Sequence, residues 1–384
     1  MDLTLPDERD ERRARVRRFL EQHPTPSGRE LAEAGYVAPH WPRPWGLDAD
    51  PVEQLIVDEE LRRAGVRRPD NVIGIGWAGP TIIHAGTPEQ KERYLWPLLA
   101  GEELWCQLFS EPGAGSDLAG LSTRAVRDGD CYVVSGQKVW TSGAHLAHFG
   151  ILIARTDPSA PKHQGITYLI CPMDSPGITI RPIVDMTGAH SFNEVFFDEA
   201  RIPIENRVGE ENQGWALAKV TLGNERVSLS GEGALWGRGP TAHELIELVR
   251  RHGGATDPVM RDRLVRLYVE AEILRLIRLR TVAAAVAGRP PGPEASVRKA
   301  LADAHGQHVM GLAKDLCGAG GMLADRAPFD DPNPTWAFGY LFSPALTIGG
   351  GTAEVQRNIV AERVLGLPHE PDPDSGRPWE ETRS

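Results

Sequence analysis

No stretch of this 384-residue chain approaches the roughly 18 consecutive apolar residues that cross a bilayer, which argues against a membrane protein. The opening segment, MDLTLPDERDERRARVRRFL, lacks an apolar run resembling a signal peptide, which points to the cytoplasm. Cysteine is scarce. Cys106, Cys131, Cys171 and Cys317 lie far apart with no CxxC pair, which reads as reduced, partly buried thiols rather than a disulfide framework. There is no excess of positive charge: the net charge of −11 argues against nucleic acid as a general partner. The basic cluster Arg12, Arg13, Arg15, Arg17 and Arg18 alternates with acids and apolar residues and reads as the solvated face of a helix. No strand precedes Gly231-x-Gly233-x-x-x-Gly237, so this glycine run reads as close helix packing and not as a dinucleotide loop. No metal site is expected. Asp303, His305 and His308 share a helical spacing that suits an interhelical packing surface better than a ligand set.

What the chain has is a change of period along its length. Residues 1–104 read as helical, with DPVEQLIVDEELRRAG and TPEQKERYLWPLLAGEE as the clearest segments, and with Thr87 and Pro88 as N-cap and first helical position. The stretch HWPRPWGLDADP is too rich in Pro and Trp for regular structure. From 105 to 213 the pattern is strand-like: CYVVSGQKVW, FGILIART, GITYLICPM, GITIRPI and NEVFFDEARIPI are short β-branched or aromatic runs between Gly, Pro and Asp, as in a compact barrel or sandwich. Helical character returns over 214–367. One long helix opens at Asp257 and Pro258 and closes at Gly288, and a second runs from about Pro293 into HVMGLAKDLCG. A Pro-rich acidic tail, 368–384, reads as loosely attached. Helices, then β, then helices is an α+β order and not a doubly wound one.

The segment WCQLFSEPGAGSDLAG carries the most chemical information. Its hydroxyls, Ser110 and Ser116, flank glycines that expose backbone N–H groups, a combination able to bond a carbonyl or phosphate oxygen. Alone, such a stretch is more often only a turn. Followed by GQKVWTSGA, it is similar to the paired signature of acyl-CoA dehydrogenases. The first half is their Thr/Ser-Glu-Pro-x-x-Gly-Ser-Asp loop, and the second their Gly-x-Lys-x-(Trp/Phe)-(Ile/Thr)-(Ser/Thr) strand. The resemblance covers the chain from about Asp7 to Leu367. It implies the family fold of an N-terminal helical domain, a middle β-barrel domain and a C-terminal four-helix bundle, with FAD as cofactor and an acyl-CoA thioester as substrate.

By position, the resemblance implies that Ser110 meets the flavin pyrimidine edge and that Ser116 meets the flavin pyrophosphate or the CoA arm. It places Trp140 along the isoalloxazine and Ser142 near its N5, with Phe109, Gly115, Thr352 and Glu354 completing the cofactor contacts. Ser191, Arg226 and Gly350 are expected on the substrate side with Ser116. Donors at the pyrimidine stabilise an anionic reduced ring, and an indole excludes water.

The reaction needs a base beside Cα while hydride leaves Cβ, and desolvation raises a carboxylate's pKa toward that task. Many family members carry the base in a Tyr-Glu-Gly-Thr motif; here the matching stretch is Gly349-Gly350-Gly351-Thr352. A minority, typified by isovaleryl- and long-chain acyl-CoA dehydrogenases, carry it in a Glu-Arg pair on an earlier helix. Glu225-Arg226 falls on that position, and Glu225 is the expected base.

A second departure concerns assembly. The family's Arg-x-x-Phe-Gly motif, which reaches a neighbour's FAD pyrophosphate, is missing from ELIELVRRHGGATDPVM. The usual Gln-x-x-Gly-Gly-x-Gly appears as Asp315-Leu-Cys-Gly318-Ala319-Gly320-Gly321, with an aspartate that would repel a pyrophosphate. The resemblance to actinobacterial α2β2 heterotetramers therefore implies a base-bearing subunit that requires a homologous partner. Such complexes act on CoA thioesters of sterol side chains and other bulky acids. Electron-transferring flavoprotein is the expected acceptor. An acyl-CoA oxidase or a non-catalytic scaffold subunit are the alternative readings.

Overall fold

The computed structural model describes residues 7–228, 233–251, 254–286, 292–293, 295–318 and 335–382. Two compact units emerge, one made of Asp2–Asp185, His190–Glu225 and Pro371–Ser384, the other chiefly of Arg226–Glu370. Among the described residues the helices are α1 (Glu11–Gln22), α2 (Gly28–Glu33), α3 (Pro51–Arg63), α4 (Gly79–Ala85), α5 (Pro88–Ala100), α6 (Gly214–Ser228), α7 (Ala242–Arg251), α8 (Pro258–Val286), α9 (Ala295–Leu316), α10 (Thr335–Phe342) and α11 (Ala353–Ile359). None is long and apolar enough to cross a membrane. The strands are β1 (Trp105–Leu108), β2 (Arg124–Asp128), β3 (Cys131–Ser142), β4 (Phe149–Arg155), β5 (Ile166–Pro172), β6 (Ile178–Ile183), β7 (Phe192–Pro203) and β8 (Arg207–Val208).

Local chemistry sets the helix starts. Thr87 and Gln90 form a reciprocal capping box ahead of α5, Pro88 occupies its first turn, and Gly101 at φ 73° ends it. Asp50 caps α3 by accepting from Glu53 N. The expected solvated face of α1 holds for Arg15 and Arg18, which are exposed, and is corrected for Arg13. Arg13 is 1% exposed, and its guanidinium donates to Glu59 Oε2 at 2.6 Å and to Glu60 Oε1 at 2.7 Å of α3. Arg17 reaches Glu60 Oε2 at 2.8 Å. A basic run followed some forty residues later by an acidic helix face makes an interhelical charge network, which a reading of α1 alone does not reveal.

The eight strands make one sheet in the order β6-β7-β3-β2-β4-β5-β8, with β1 parallel to β4. β2 and β4 share a single register pair, Arg124 with Arg155. Residues from both flanks of that junction, among them Leu108, Tyr132, Leu152, Leu169, Val195 and Phe197, fill one apolar cluster, so the sheet curls around its own core.

Residues 368–373 are exposed, but around Trp379 the tail is docked, not loose. Trp379 is 7% exposed, its N–H donates to Ala160 O at 2.9 Å, and Glu380 N donates to Pro158 O at 3.1 Å. The reading from composition failed here because one aromatic among prolines and acids was enough to anchor the segment.

In the other unit, α8 and α9 pair through Arg263 and Asp315 at 2.8 Å and through His305 Nδ1 and Glu270 Oε2 at 2.9 Å. His305 is thus an interhelical contact, as its spacing suggests, and Asp303 binds Lys299 of its own helix. The expected close of α8 at Gly288 and the segment Ala319-Gly320-Gly321 lie outside the described residues. Gly233 and Gly237 are not a helix-packing surface. They are bridge partners in a tight turn, where a Cβ on Gly233 would sit 2.1 Å from Arg238 O.

Candidate active site

The serine loop leaves β1 at Leu108 and returns to β2 at Arg124. Its base is closed by Glu111 and Ala114, each donating its N–H to the other's carbonyl at 3.0 Å. The Glu111 carboxylate sits inside the turn and accepts from Ser122 N at 2.7 Å, Ser122 Oγ at 2.9 Å and Thr123 N at 2.9 Å. Lys138 of β3, fully buried, donates to Glu111 Oε1 at 2.8 Å and to Phe109 O at 2.9 Å. Burial pushes the Glu111 carboxyl up, but Lys138 and the surrounding donors outweigh it and hold the group at about 2. The loop is therefore fixed from within by a buried anion, leaving Ser110 half-buried and Gly115 and Ser116 exposed at its tip.

Strand β3 is shaped by the same contacts. Its register against β7 shifts between Lys138 and Thr141, where Val139 N turns to donate to Ser110 O at 2.9 Å. The next residue, Trp140, takes φ 59°, a left-handed conformation that a bulky L-residue avoids. The bulge delivers the indole outward, 59% exposed and edge-on to Phe192 at 6.1 Å. Pairing with β7 resumes at Thr141 and Ser142, and Gly143 N donates to Ser191 O at 2.9 Å. The strand pairing thus brings Ser142 and Ser191 together.

Glu225 lies on α6 and is 6% exposed. Gln107 of β1, two residues before Phe109, donates through Nε2 to Glu225 Oε2 at 3.4 Å. One turn earlier on α6, Thr221 Oγ1 lies 2.8 Å from Thr81 Oγ1 and 3.1 Å from the Tyr168 hydroxyl. Helix α6 is thereby pinned to α4 and β5 by buried hydroxyls. Phe109, 3% exposed, packs edge-on against Tyr168 at 6.1 Å.

The remaining residues expected at the site belong to the other unit. Gly350 has φ 68°, and a Cβ on neighbouring Gly349 would lie 2.6 Å from the Trp236 ring, so the space at Gly349 is taken by that indole. Thr352 caps α11 by accepting from Val355 N at 3.3 Å, and Glu354 is exposed beside Arg357. The Arg226 side chain lies outside the described residues. Gln107, Glu111 and Lys138 lie inside the two motif segments without a motif role; the buried ion pair singles out Glu111 and Lys138, and the contact with Glu225 singles out Gln107. Cys106 and Cys171 are fully buried, and burial pushes both thiols up, away from nucleophilic chemistry.

Comparison with known proteins agrees with this layout. The N-terminal, middle and C-terminal domain families of acyl-CoA dehydrogenases match residues 6–102, 106–200 and 212–365. FadE34 of Mycobacterium tuberculosis, an acyl-CoA dehydrogenase, is 47% identical over 338 residues, which is 88% of this chain and 45% of that protein. The chain therefore spans less than half the length of FadE34. Among solved structures, the Tcur3481-Tcur3483 steroid ACAD superposes with a TM-score of 0.79 at 33% identity, covering 96% of this chain and all of that one. The ChsE4-ChsE5 complex of Mycobacterium tuberculosis gives 0.77 at 32%, with 96% of this chain and all of that one covered.

Fold and matches together define the class of protein, helical at both ends with a β-domain between. The chain belongs to the acyl-CoA dehydrogenase family, and its α+β architecture is that family's three-domain fold. Members of the family are typically FAD-dependent, and the donor set here suits a flavin. Ser110 and the outward Trp140 are joined through the Val139 N–H to Ser110 O bond, Ser142 lies two residues beyond Trp140 on the strand, and the buried Thr141 Oγ1 has no partner among the described residues.

Proposed function

We propose that the chain is the base-bearing subunit of a heteromeric, FAD-dependent acyl-CoA dehydrogenase that introduces a double bond between Cα and Cβ of a bulky acyl-CoA. The observation that carries this reading is Glu225: a carboxylate 6% exposed, met by Gln107 Nε2, in the same compact unit as the serine loop. Glu225 takes the α-proton. Burial keeps bulk water from competing for the carboxylate, and the Gln107 amide orients the oxygen that accepts. FAD, when bound, supplies the acceptor for the hydride that leaves Cβ. Ser110 and Ser142 offer hydroxyl donors to the ring, Trp140 screens it from water, and Gly115 and Ser116 offer backbone and hydroxyl donors to phosphate. Phe109 holds the loop from beneath. Thr352 and Glu354 are proposed as further cofactor contacts, and Ser191, Arg226 and Gly350 as the substrate side.

The absence of an Arg-x-x-Phe-Gly motif supports a homologous partner, and more than half of FadE34's length lies outside the match, room enough for a second chain of this size. Sequence-similar structures with paired names, one of them called a steroid ACAD, support a steroidal or similarly bulky thioester and an α2β2 assembly. Electron-transferring flavoprotein is the proposed acceptor. The proposed domain limits are 1–104, 105–213 and 214–367.

The test is Glu225→Gln in the assembled complex, followed by anaerobic stopped-flow reduction of the flavin with acyl-CoA. Reduction should slow by about 10²–10⁴-fold, the usual contribution of a positioned general base. Undiminished reduction would remove Glu225 from the chemistry and leave a scaffold subunit. Rapid reoxidation of the reduced flavin by air, with peroxide formed, would point to an oxidase instead.

A further inference from the structure

Arg155, at the end of β4, is 3% exposed and spends its guanidinium on three loops at once. Nη2 donates to Ala119 O at 2.6 Å, on the returning limb of the serine loop. Nη1 donates to Gln164 O at 2.7 Å and Lys162 O at 3.1 Å, in the connection between β4 and β5. The flat face of the same group is covered by Trp379, whose ring centroid lies 4.6 Å away. The backbone of the tryptophan segment is fastened to that connection too: Trp379 N donates to Ala160 O, Glu380 N to Pro158 O, and Pro161 and Pro378 form a bridge. A second tie runs from Lys162 to Asp117, directly after Ser116. The β4–β5 connection is thus clamped between the serine loop on one side and residues 371–382 on the other.

Glu111 ties both ends of the serine loop, holding the limb bearing Ser110 through Lys138 and the end of the returning limb through Ser122 and Thr123. Between those ends, Asp117 and Ala119 are tied in addition by Lys162 and Arg155. Ser116 and Gly115 are exposed, so nothing in their own burial fixes them. Trp379 covers the flat face of the guanidinium and keeps water from competing for its donors, which helps to fix its orientation toward the three carbonyls.

We propose that residues 371–382 form a strap that, through Arg155, holds the Gly115–Ser116 end of the serine loop in place for the cofactor's pyrophosphate. Arg155 and Trp379 are then positioning residues, remote from the reacting carbons. The ligand side of this inference rests on the reading that the loop binds FAD; the mechanical side does not.

Trp379→Leu, Trp379→Phe and Arg155→Lys in the full chain separate the two. In the cofactor-free protein, Trp379→Leu and Arg155→Lys should speed amide exchange across 113–120 while leaving β5 unchanged, and Trp379→Phe, which keeps an aromatic face, should restore protection. In flavin titrations followed by fluorescence, Trp379→Leu should weaken FAD about tenfold, with Trp379→Phe within about threefold of wild type. Once FAD saturates, the flavin absorption spectrum and kcat should match wild type, because the limb bearing Ser110 keeps its own anchor. Unchanged exchange at 113–120 would overturn the strap. A loosened loop with unchanged FAD affinity would overturn its positioning role. Failure of the wild-type chain and its complex to bind FAD at all would strike the functional reading instead, with the exchange result still deciding the strap.

Discussion

Lys138 Nζ lies 2.8 Å from Glu111 Oε1, and both side chains are almost completely removed from water. One ion pair therefore joins strand β3, with its outward Trp140, to the loop that carries Ser110 and Ser116. Neither half of the paired motif holds its shape without the other.

Removing one partner should cost far more than removing both. Lys138→Met or Glu111→Gln leaves a buried charge or a set of buried donors without a counterpart, and each should lower stability by about 3–5 kcal/mol. Lys138→Met with Glu111→Leu should recover a large part of that. Because the Glu111 carboxyl sits at about 2 in the folded chain against an ordinary 4.5, its contribution is present above about pH 4.5 and lost as pH falls toward 2. Urea midpoints of wild type and Glu111→Gln should therefore converge between pH 6 and pH 3. A constant gap would mean that the pair is not what the carboxylate contributes.

Gln107 offers a test of how Glu225 is held. Its amide donates to the carboxylate at 3.4 Å. Under the proposed function, Gln107→Leu should slow flavin reduction by substrate about tenfold while melting behaviour stays close to wild type, because the carboxylate loses an orienting donor. Undiminished reduction would show that Gln107 is only packing against α6.

Trp140 carries backbone strain that its exposure does not repay through burial. Asparagine tolerates a positive φ better, so Trp140→Asn should hold or raise stability by up to about 1 kcal/mol. Under the proposed function, the same change should slow flavin reduction by substrate and speed reaction of the reduced flavin with oxygen. A clear loss of stability in thermal unfolding would contradict the strain, and unchanged flavin kinetics would separate the indole from the site.

The order helical, β, helical is readable along the chain. Period and capping residues are local properties: Thr87-Pro88 opens α5 because its own next turn supplies the partners, and alternating β-branched runs make strands wherever they fold. The serine loop and the Lys-Val-Trp-Thr-Ser strand were legible as motifs for the same reason, since their residues are contiguous. Contacts distant in sequence were not. Arg13 looked solvated until α3 supplied Glu59 and Glu60, and the Pro-rich segment looked loose until Arg155 received Trp379. The strained backbone of Trp140 falls at the bulge where Val139 leaves β7 to bond Ser110, a contact between segments distant in sequence. Burial, and the pairing of charges that burial demands, depend on which elements meet; that choice belongs to the tertiary structure, because desolvation is a property of the packed chain and not of any window along it.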